Sequence, residues 1–467
     1  MTRMNSDNTK VPYAAAQAKF LYELSLSKLP AGVVHTAKRH ILDTLGVAVR
    51  GQSHPNVKSM AESIAELDGS FGTRVVWGSS LKLSTAYAAM LNGVASHALD
   101  FDDTHTDAIH HGSASIVPVV LALGEELNSS GRSIIEAFVA GWEISARVGL
   151  AARGSFHRRG FHTTSVAGVF GAAAAASKLL GLDPSQTTNA LGLAGSQASG
   201  INEYLSNGSS SKSFHTGWIA FAGILVAFMG KHGMTGPQTV FEGRDGLFKA
   251  FGEPDRANLN QLVNKLGEQW EVMRVSIKPY PCCHFAHAFI DCLGQAIDRL
   301  IPVREIKSIT CVVPEIEVPL ICEPSADKLN PGTPYAAKFS LPFLLGARAI
   351  DGKINHETFS IRSIRRPEVL EFAKKVNYRL AGPKELPFPE TFPGMLEIQL
   401  TNGEVWKERL DVNSGHPSRP LSDLQIEDKF RENTRDIFGR EHASRVVESI
   451  WSLEHQTTRS LAEKLSI

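Results

Sequence analysis

From Ala15 to about Lys265 the sequence keeps its apolar residues three and four apart and never settles into the alternation of a strand. "VVHTAKRHILDTLGVAV" places Val34, Ala37, Ile41, Leu42 and Leu45 on one helical face. "LSTAYAAMLNGVASHALD" repeats that spacing. "TTSVAGVFGAAAAASKLLGL" carries small residues on several sides, so neighbouring helices can approach it closely. "LDPSQTTNALGLAGSQASG" opens with a helix start: Asp183 as N-cap, Pro184 at the first helical position, Gln186 reaching back to the cap. Such texture predicts one large all-helical domain, with the first fourteen residues as a frayed tail.

The pattern changes near Gly267. "WEVMRVSIKPYPCC" alternates and then breaks at proline, which puts Lys278 at the end of a strand. "IKSITCVVPEIEV" is β-branched, and "MLEIQLTNGEVWKERL" reads as two short strands around an Asn402-Gly403 turn. Helices are expected at about 285–300 and 335–349. Beyond Asp411 the chain is helical and charged again. The expected division is a helical domain over 1–269, an α/β domain over 270–410, and a helical segment over 411–467 that returns to the first. The fold class is therefore mainly α, with a large helical domain built from both chain ends and a smaller inserted α/β domain. A chain of 467 residues is too long for one core.

Forty-eight basic side chains balance forty-eight acidic ones, and the pI is about 7.3. No general attraction to nucleic acid or an anionic membrane follows. The longest apolar run, Trp218 to Met229, is about half of the roughly 20 residues that span a bilayer, and reads as a core helix. The five cysteines fall between Cys282 and Cys322, without a CxxC pair or a secretory signal, as expected of reduced thiols in the cytoplasm.

The chemistry concentrates in "SHALDFDDTHTDAIHHGSASIVPVV". Between His97 and Gly112 stand Asp100, Asp102, Asp103 and Asp107 with His97, His105, His110 and His111. One reading is helix termination on a solvated loop. The other is a site, because close carboxylates and imidazoles shift one another and serve as acid and base. Neither HExxH nor a Cys/His framework is present, so no metal is assigned. Three further segments carry isolated candidates. "RRGFHTTSVAG" sets His162 before a helix start. "NGSSSKSFHTGW" holds Lys212 and His215 in a Gly/Ser-rich loop, and "SIKPYPCCHFAHAF" holds Lys278 in a proline-shaped one. Acid–base groups with lysines suit a small polyanionic carboxylate.

Taken in order, "AKRHILDTLGVAV", "LNGVASHALDFDDTH", "GFHTTSVAGVFGAAAAASKLLGL", "SKSFHTGWIA", "TGPQTVFEG" and "KPYPCCHFAHAF" resemble the MmgE/PrpD family over nearly the whole chain. The family includes 2-methylcitrate dehydratase, cis-aconitate decarboxylase and iminodisuccinate epimerase. The resemblance implies a homodimer, a site in the cleft between the domains, and no metal or organic cofactor. It carries the family's aspartate and threonine to Asp100 and Thr104. Its loop histidine falls on His111 counted back from Pro118, or on His110 counted forward from Asp100; the spacing to the proline favours His111. The remaining positions are His162, Lys212 and His215 (with Ser213 in place of a proline) and Lys278. On this reading His111 and His162 exchange protons and Asp100 orients a histidine or keeps it protonated. Thr104, Lys212, His215 and Lys278 bind substrate. His105 stands where the dehydratases carry tryptophan, and Cys282–Cys283 where decarboxylases often carry a smaller residue. The activity implied is a cofactor-independent lyase on a small di- or tricarboxylate, most simply a 2-methylcitrate dehydratase-like hydro-lyase. A cis-aconitate decarboxylase-like or iminodisuccinate epimerase-like enzyme is the alternative, and a non-catalytic binding member the remaining one.

Overall fold

The computed structural model describes residues 11–69, 72–207, 209–388 and 391–467. The chain divides into two units. A helical unit takes the chain up to Ala98, Asp102–Val275 and Asp423–Ile467, and an α/β unit takes Leu99–Phe101 and Ser276–Ser422. These divisions lie at 275/276 and 422/423, against the expected 269/270 and 410/411. Backbone bonding accounts for both differences. The Glu271 N–H donates to Glu143 at 2.6 Å, which ties the segment after 269 to the helical unit. The Ile277 N–H donates to the Gly415 carbonyl at 3.0 Å and the Ser414 N–H to Asp291 at 2.7 Å, which ties 411–422 to the α/β unit.

The helical unit is built from the helices Ala31–Gly51, Thr85–His97, Ser113–Leu127, Gly131–Ala152, Thr163–Leu179 and Ser211–Lys231, with Asp423–Trp451 returning from the C-terminal part. Ala37, Ile41, Leu42 and Leu45 are buried as their spacing predicts, but Val33 is buried in place of Val34, which is half-buried. The Asp183 capping box forms, with Gln186 N–H to Asp183 at 2.9 Å and the Asp183 N–H to Gln186 at 3.1 Å. Small residues let helices touch through their backbones. A Cβ on Gly217 would stand 2.5 Å from the Met90 carbonyl, so only glycine fits between Ser211–Lys231 and Thr85–His97. Among the described residues Ser211–Lys231 is the one helix long and apolar enough to cross a membrane, and 67% of its most apolar window is buried inside the protein.

Three expectations shift. Residues 1–10 of the expected tail lie outside the described residues, and Tyr13–Glu23 is already helix, with Ala14 buried. A two-residue strand pair, Arg74–Val75 with Lys82–Leu83, interrupts the helical texture. From His232 to Val275 the chain runs in turns and short helical pieces, because Gly233, Pro237, Gly243, Gly246, Gly252 and Pro254 break any longer helix.

In the α/β unit one sheet runs in the order Val376–Leu380, Ile306–Val313, Gly394–Leu400, Val405–Leu410, its first pair parallel and the others antiparallel. Leu396, Ile398 and Leu400 alternate toward the core, where they join Phe289, Leu293 and Leu344 from the helices His287–Asp298 and Leu341–Asp351. The predicted hairpin closes at Asn402-Gly403, with Gly403 at φ 92°. The strand expected before Lys278 is absent: Glu271–Arg274 is a 3-10 turn and Lys278 sits in a loop. Pro279 and Pro281 offer no N–H to a sheet ladder there.

Candidate active site

The helix Thr85–His97 delivers His97 at its last turn, and the helix Ser113–Leu127 begins just after His111. Between them the chain turns sharply, with Asp100 at φ 55° and Ile109 at φ 52°. Aspartate tolerates that left-handed conformation; for isoleucine it is strained. The turn buries the loop: Asp102, Asp103 and His110 are 0% exposed.

The buried groups bond in a definite pattern. His97 Nδ1 lies 2.7 Å from Asp102 Oδ2, so its N–H donates to that carboxylate. His111 Nδ1 lies 3.4 Å from the same oxygen and donates to the Asp103 carbonyl at 2.8 Å. Thr104 Oγ1 is 3.2 Å from that nitrogen. The Asp103 carboxylate accepts from His40 at 2.7 Å and from Ser113 at 2.5 Å, and Ser113 in turn accepts from the Trp142 indole at 3.0 Å. Beneath them Lys429, from the C-terminal helix, meets Asp43 at 2.6 Å. Burial pushes the Asp43 carboxyl up to about 6 against the opposing pull of Lys429.

His162 is the N-cap of Thr163–Leu179, and Lys212 and His215 occupy the first turn of Ser211–Lys231. The two imidazoles meet with Nδ1 atoms 3.0 Å apart, so one donates and the other accepts. Burial, then the neighbouring His97 and Lys212, pulls His215 down to about 4. Burial, with His97, Lys212 and His215 beside it, holds His162 well below its ordinary range. The His97 ring lies 5.0 Å from that of His111 and 5.8 Å from that of His162. His111, His97, His162 and His215 thus form a run of imidazoles, flanked by the Tyr204 ring at 5.7 Å from His162.

Not every candidate joins this run. His110, the alternative to His111, has no hydrogen-bond partner for either ring nitrogen among the described residues. It packs 5.4 Å from the Trp142 ring, and burial pulls it down to about 3. His105 bonds Glu271 at 3.0 Å, and Asp107 pairs with Arg274. Asp100 lies in the α/β unit, where its carboxylate stands 3.4 Å from Lys278 Nζ and its carbonyl accepts from the same amine at 2.9 Å. Asp102 supplies an orienting carboxylate to His97. The left-handed turn at Asp100 separates two aspartates that sequence spacing alone treats as equivalent.

His97, Asp102 and Asp103 stand in the cluster that the sequence marks out but received no individual role there, and Tyr204 was not singled out. The density of ionisable residues was the one available signal for the first three. His97, Asp102 and His111 also bring one donor atom each to within 4.8 Å of one another. The hydrogen bonds just described account for that convergence through shared protons.

Comparison with known proteins agrees in its extent. A family model described as the MmgE/PrpD N-terminal domain matches residues 16–260, and one described as the MmgE/PrpD C-terminal domain matches residues 280–454. Cis-aconitate decarboxylase of Mus musculus is 28% identical over 465 residues, covering 96% of this chain and 92% of the relative. The Homo sapiens cis-aconitate decarboxylase is 29% identical, covering 94% and 91%. The Aspergillus terreus cis-aconitate decarboxylase is 25% identical, covering 98% and 96%.

Proposed function

The chain belongs to the MmgE/PrpD family, and from that premise we propose that it is a cofactor-independent lyase that decarboxylates a small unsaturated tricarboxylate of the cis-aconitate type. Similarity to cis-aconitate decarboxylases over nearly the full length moves this reading ahead of the 2-methylcitrate dehydratase one. The observation that carries it is His111, an imidazole held at Nδ1 by the Asp103 carbonyl at 2.8 Å beside the Asp102 carboxylate at 3.4 Å.

Decarboxylation breaks a C–COO⁻ bond, releases CO₂ and leaves the electron pair on the neighbouring carbon. That carbanion must be stabilised and then protonated. With Nδ1 donating to Asp103, the His111 ring is oriented to deliver a proton, and the Asp102 carboxylate offers the charge an imidazolium needs. Lys212, in the first turn of its helix, adds its charge to the positive end of the dipole and suits a substrate carboxylate. The paired His162 and His215 share one Nδ1 proton, which suits binding as neutral donors.

The test is NMR in D₂O on EDTA-treated protein given cis-aconitate, citrate, 2-methylcitrate and iminodisuccinate separately. Loss of CO₂ from cis-aconitate with one solvent deuteron in the product is the expected result. Loss of water from citrate or 2-methylcitrate, or deuterium exchange into iminodisuccinate alone, would replace decarboxylation with the corresponding activity. Activity that EDTA abolishes would turn the His97–Asp102–His111 group into a metal centre.

A further inference from the structure

The helix Ser211–Lys231 of the helical unit keeps apolar side chains even where it faces outward. Between Ser213 and Gly230 the residues that are not buried are Phe214, Trp218, Phe221, Leu225, Phe228 and Met229. Phe214 and Leu225 are each 40% exposed. A helix that faces water ordinarily turns charge outward, as Pro55–Asp68 does with Lys58, Glu62 and Glu66. None of the outward positions between Ser213 and Gly230 is charged.

These side chains form one continuous stripe. The Phe214 and Trp218 rings stack at 6.4 Å, and the Trp218 and Phe221 rings at 5.9 Å. Tyr87 widens the stripe from the neighbouring helix Thr85–His97, its ring 5.2 Å from that of Phe221. Lys231 closes the far end, its ammonium 5.7 Å from the centre of the Phe228 ring. From Phe214 to Phe228 the stripe is about 21 Å long at a rise of about 1.5 Å per residue. Contiguous apolar surface of that extent marks a contact with another molecule.

The occupant follows from spacing, charge and area. Phe214, Trp218, Phe221, Leu225 and Phe228 recur at alternating steps of four and three, the spacing of a seam that packs against another helix. A two-fold axis through Phe221 carries Phe214 onto Phe228 and Trp218 onto Leu225. Such a face is self-complementary and suits a pair of identical chains. It is uncharged, so a second copy meets no like charge along it. A standard interface takes about 800 Å² from each partner; the stripe supplies its apolar core, and Tyr87 carries it onto the next helix. A membrane fits less well. The most apolar window of the helix is 67% buried inside the protein, so its other face is core and not the basic, solvated face of a helix lying on lipid.

We propose that this stripe is the contact between two copies of the chain, and that the contact steadies the first turn of the helix, where Phe214 stands between Lys212 and His215. The link to that turn rests on the carboxylate-substrate reading above; the contact itself does not. Sedimentation of the full-length protein from about 0.1 to 50 µM should show a dimer. Leu225→Glu puts a charge in the stripe about 15 Å along the helix from His215. It should weaken pairing about a hundredfold or more, while Leu225→Met keeps it. Mixing Leu225→Glu copies with Trp218→Lys copies should restore pairing, because the two-fold axis sets one substitution against the other. Leu225 is partly exposed, so Leu225→Glu does not threaten folding, and circular dichroism checks this. On whichever of the four acids is the substrate, Leu225→Glu should raise KM about threefold or more, with kcat less affected, and the mixture should reverse it.

A wild type that stays monomeric across that range, or a Leu225→Glu variant that pairs as the wild type does, would overturn the contact. A monomeric wild type that binds phosphatidylcholine vesicles would overturn it in favour of a membrane surface. Lost pairing with an unchanged KM would overturn the link to the first turn. Silence across the four acids would defeat the carboxylate reading and the link with it, while sedimentation still decides the contact.

Discussion

His110 and His111 are neighbours in the chain and meet opposite surroundings. His111 reaches the Asp103 carbonyl, Thr104 and the Asp102 carboxylate. His110 points into the packing beside Trp142, with Ile219 and Ser115 lining the adjacent helix contact. The whole loop divides in the same way. Asp102, Asp103, His97 and His111 are joined to one another by protons, whereas His105 and Asp107 are tied to Glu271 and Arg274. Residue types are thus a poor guide to role within one loop. An imidazole held by a carbonyl and a carboxylate is oriented for chemistry; one packed against a ring with partners on neither nitrogen is core.

The largest effect should come from breaking the partnered half. His111→Ala is expected to lower turnover roughly 10²–10⁴-fold, the contribution of one positioned acid. His110→Leu should stay within severalfold, since it replaces an uncharged buried ring by an apolar group of similar size. Steady-state kinetics of both variants decides the comparison: equal losses would erase it, and a dead His110→Leu with an active His111→Ala would invert it.

Next in size is the ion pair below the loop. Asp43 and Lys429 are both buried, and Asp102 and Asp103 stand close enough to act on Lys429. Lys429→Met leaves the buried Asp43 carboxyl without its partner and should cost about 3–5 kcal/mol. The Asp43→Asn, Lys429→Met double variant should recover much of it. Urea denaturation of both measures this. No coupling between the two positions would mean the pair adds nothing to the floor of the site.

The loss expected at the other half is smaller. His105→Asn removes one bond to Glu271, which Arg147 still holds at 3.1 Å. About 1–3 kcal/mol of stability should be lost, with turnover nearly kept. A drop in turnover as large as that of His111→Ala would mean that the two halves are not separate.

Local signals were legible in the sequence where structure is local. The Asp183 cap, the Asn402-Gly403 turn and the face of Ala37, Ile41 and Leu45 depend on residues within a turn or two of each other. What was missed depends on distance or on one dihedral angle. His40 meets Asp103 across 63 positions of chain, and Lys429 reaches Asp43 from the far end of the sequence. The parallel strand Val376–Leu380 pairs with Ile306–Val313 across a long crossover. The meeting of Asp100 with Lys278 at 3.4 Å goes with φ 55° at Asp100, which no spacing rule encodes.

The most diagnostic effect is on acid stability, and it vanishes at neutral pH. Burial lowers His110 to about 3 and His215 to about 4 in the folded chain, against 6.5 for a free histidine. Above pH 6.5 both states are neutral there, and neither group changes stability. As pH falls below 6.5 the unfolded chain takes up the proton and the folded chain does not, so stability falls with pH. The fall continues to about pH 4 for His215 and about pH 3 for His110. Each group contributes a slope of at most about 1.4 kcal/mol per pH unit. His110→Leu removes one group and should flatten the acid limb by about that slope, while its stability at pH 8 is set by packing alone. Denaturation curves from pH 8 to 4 test this. An acid limb unchanged in His110→Leu would mean that His110 takes up its proton in the folded state, which requires a partner for a ring nitrogen and would move it into the same class as His111.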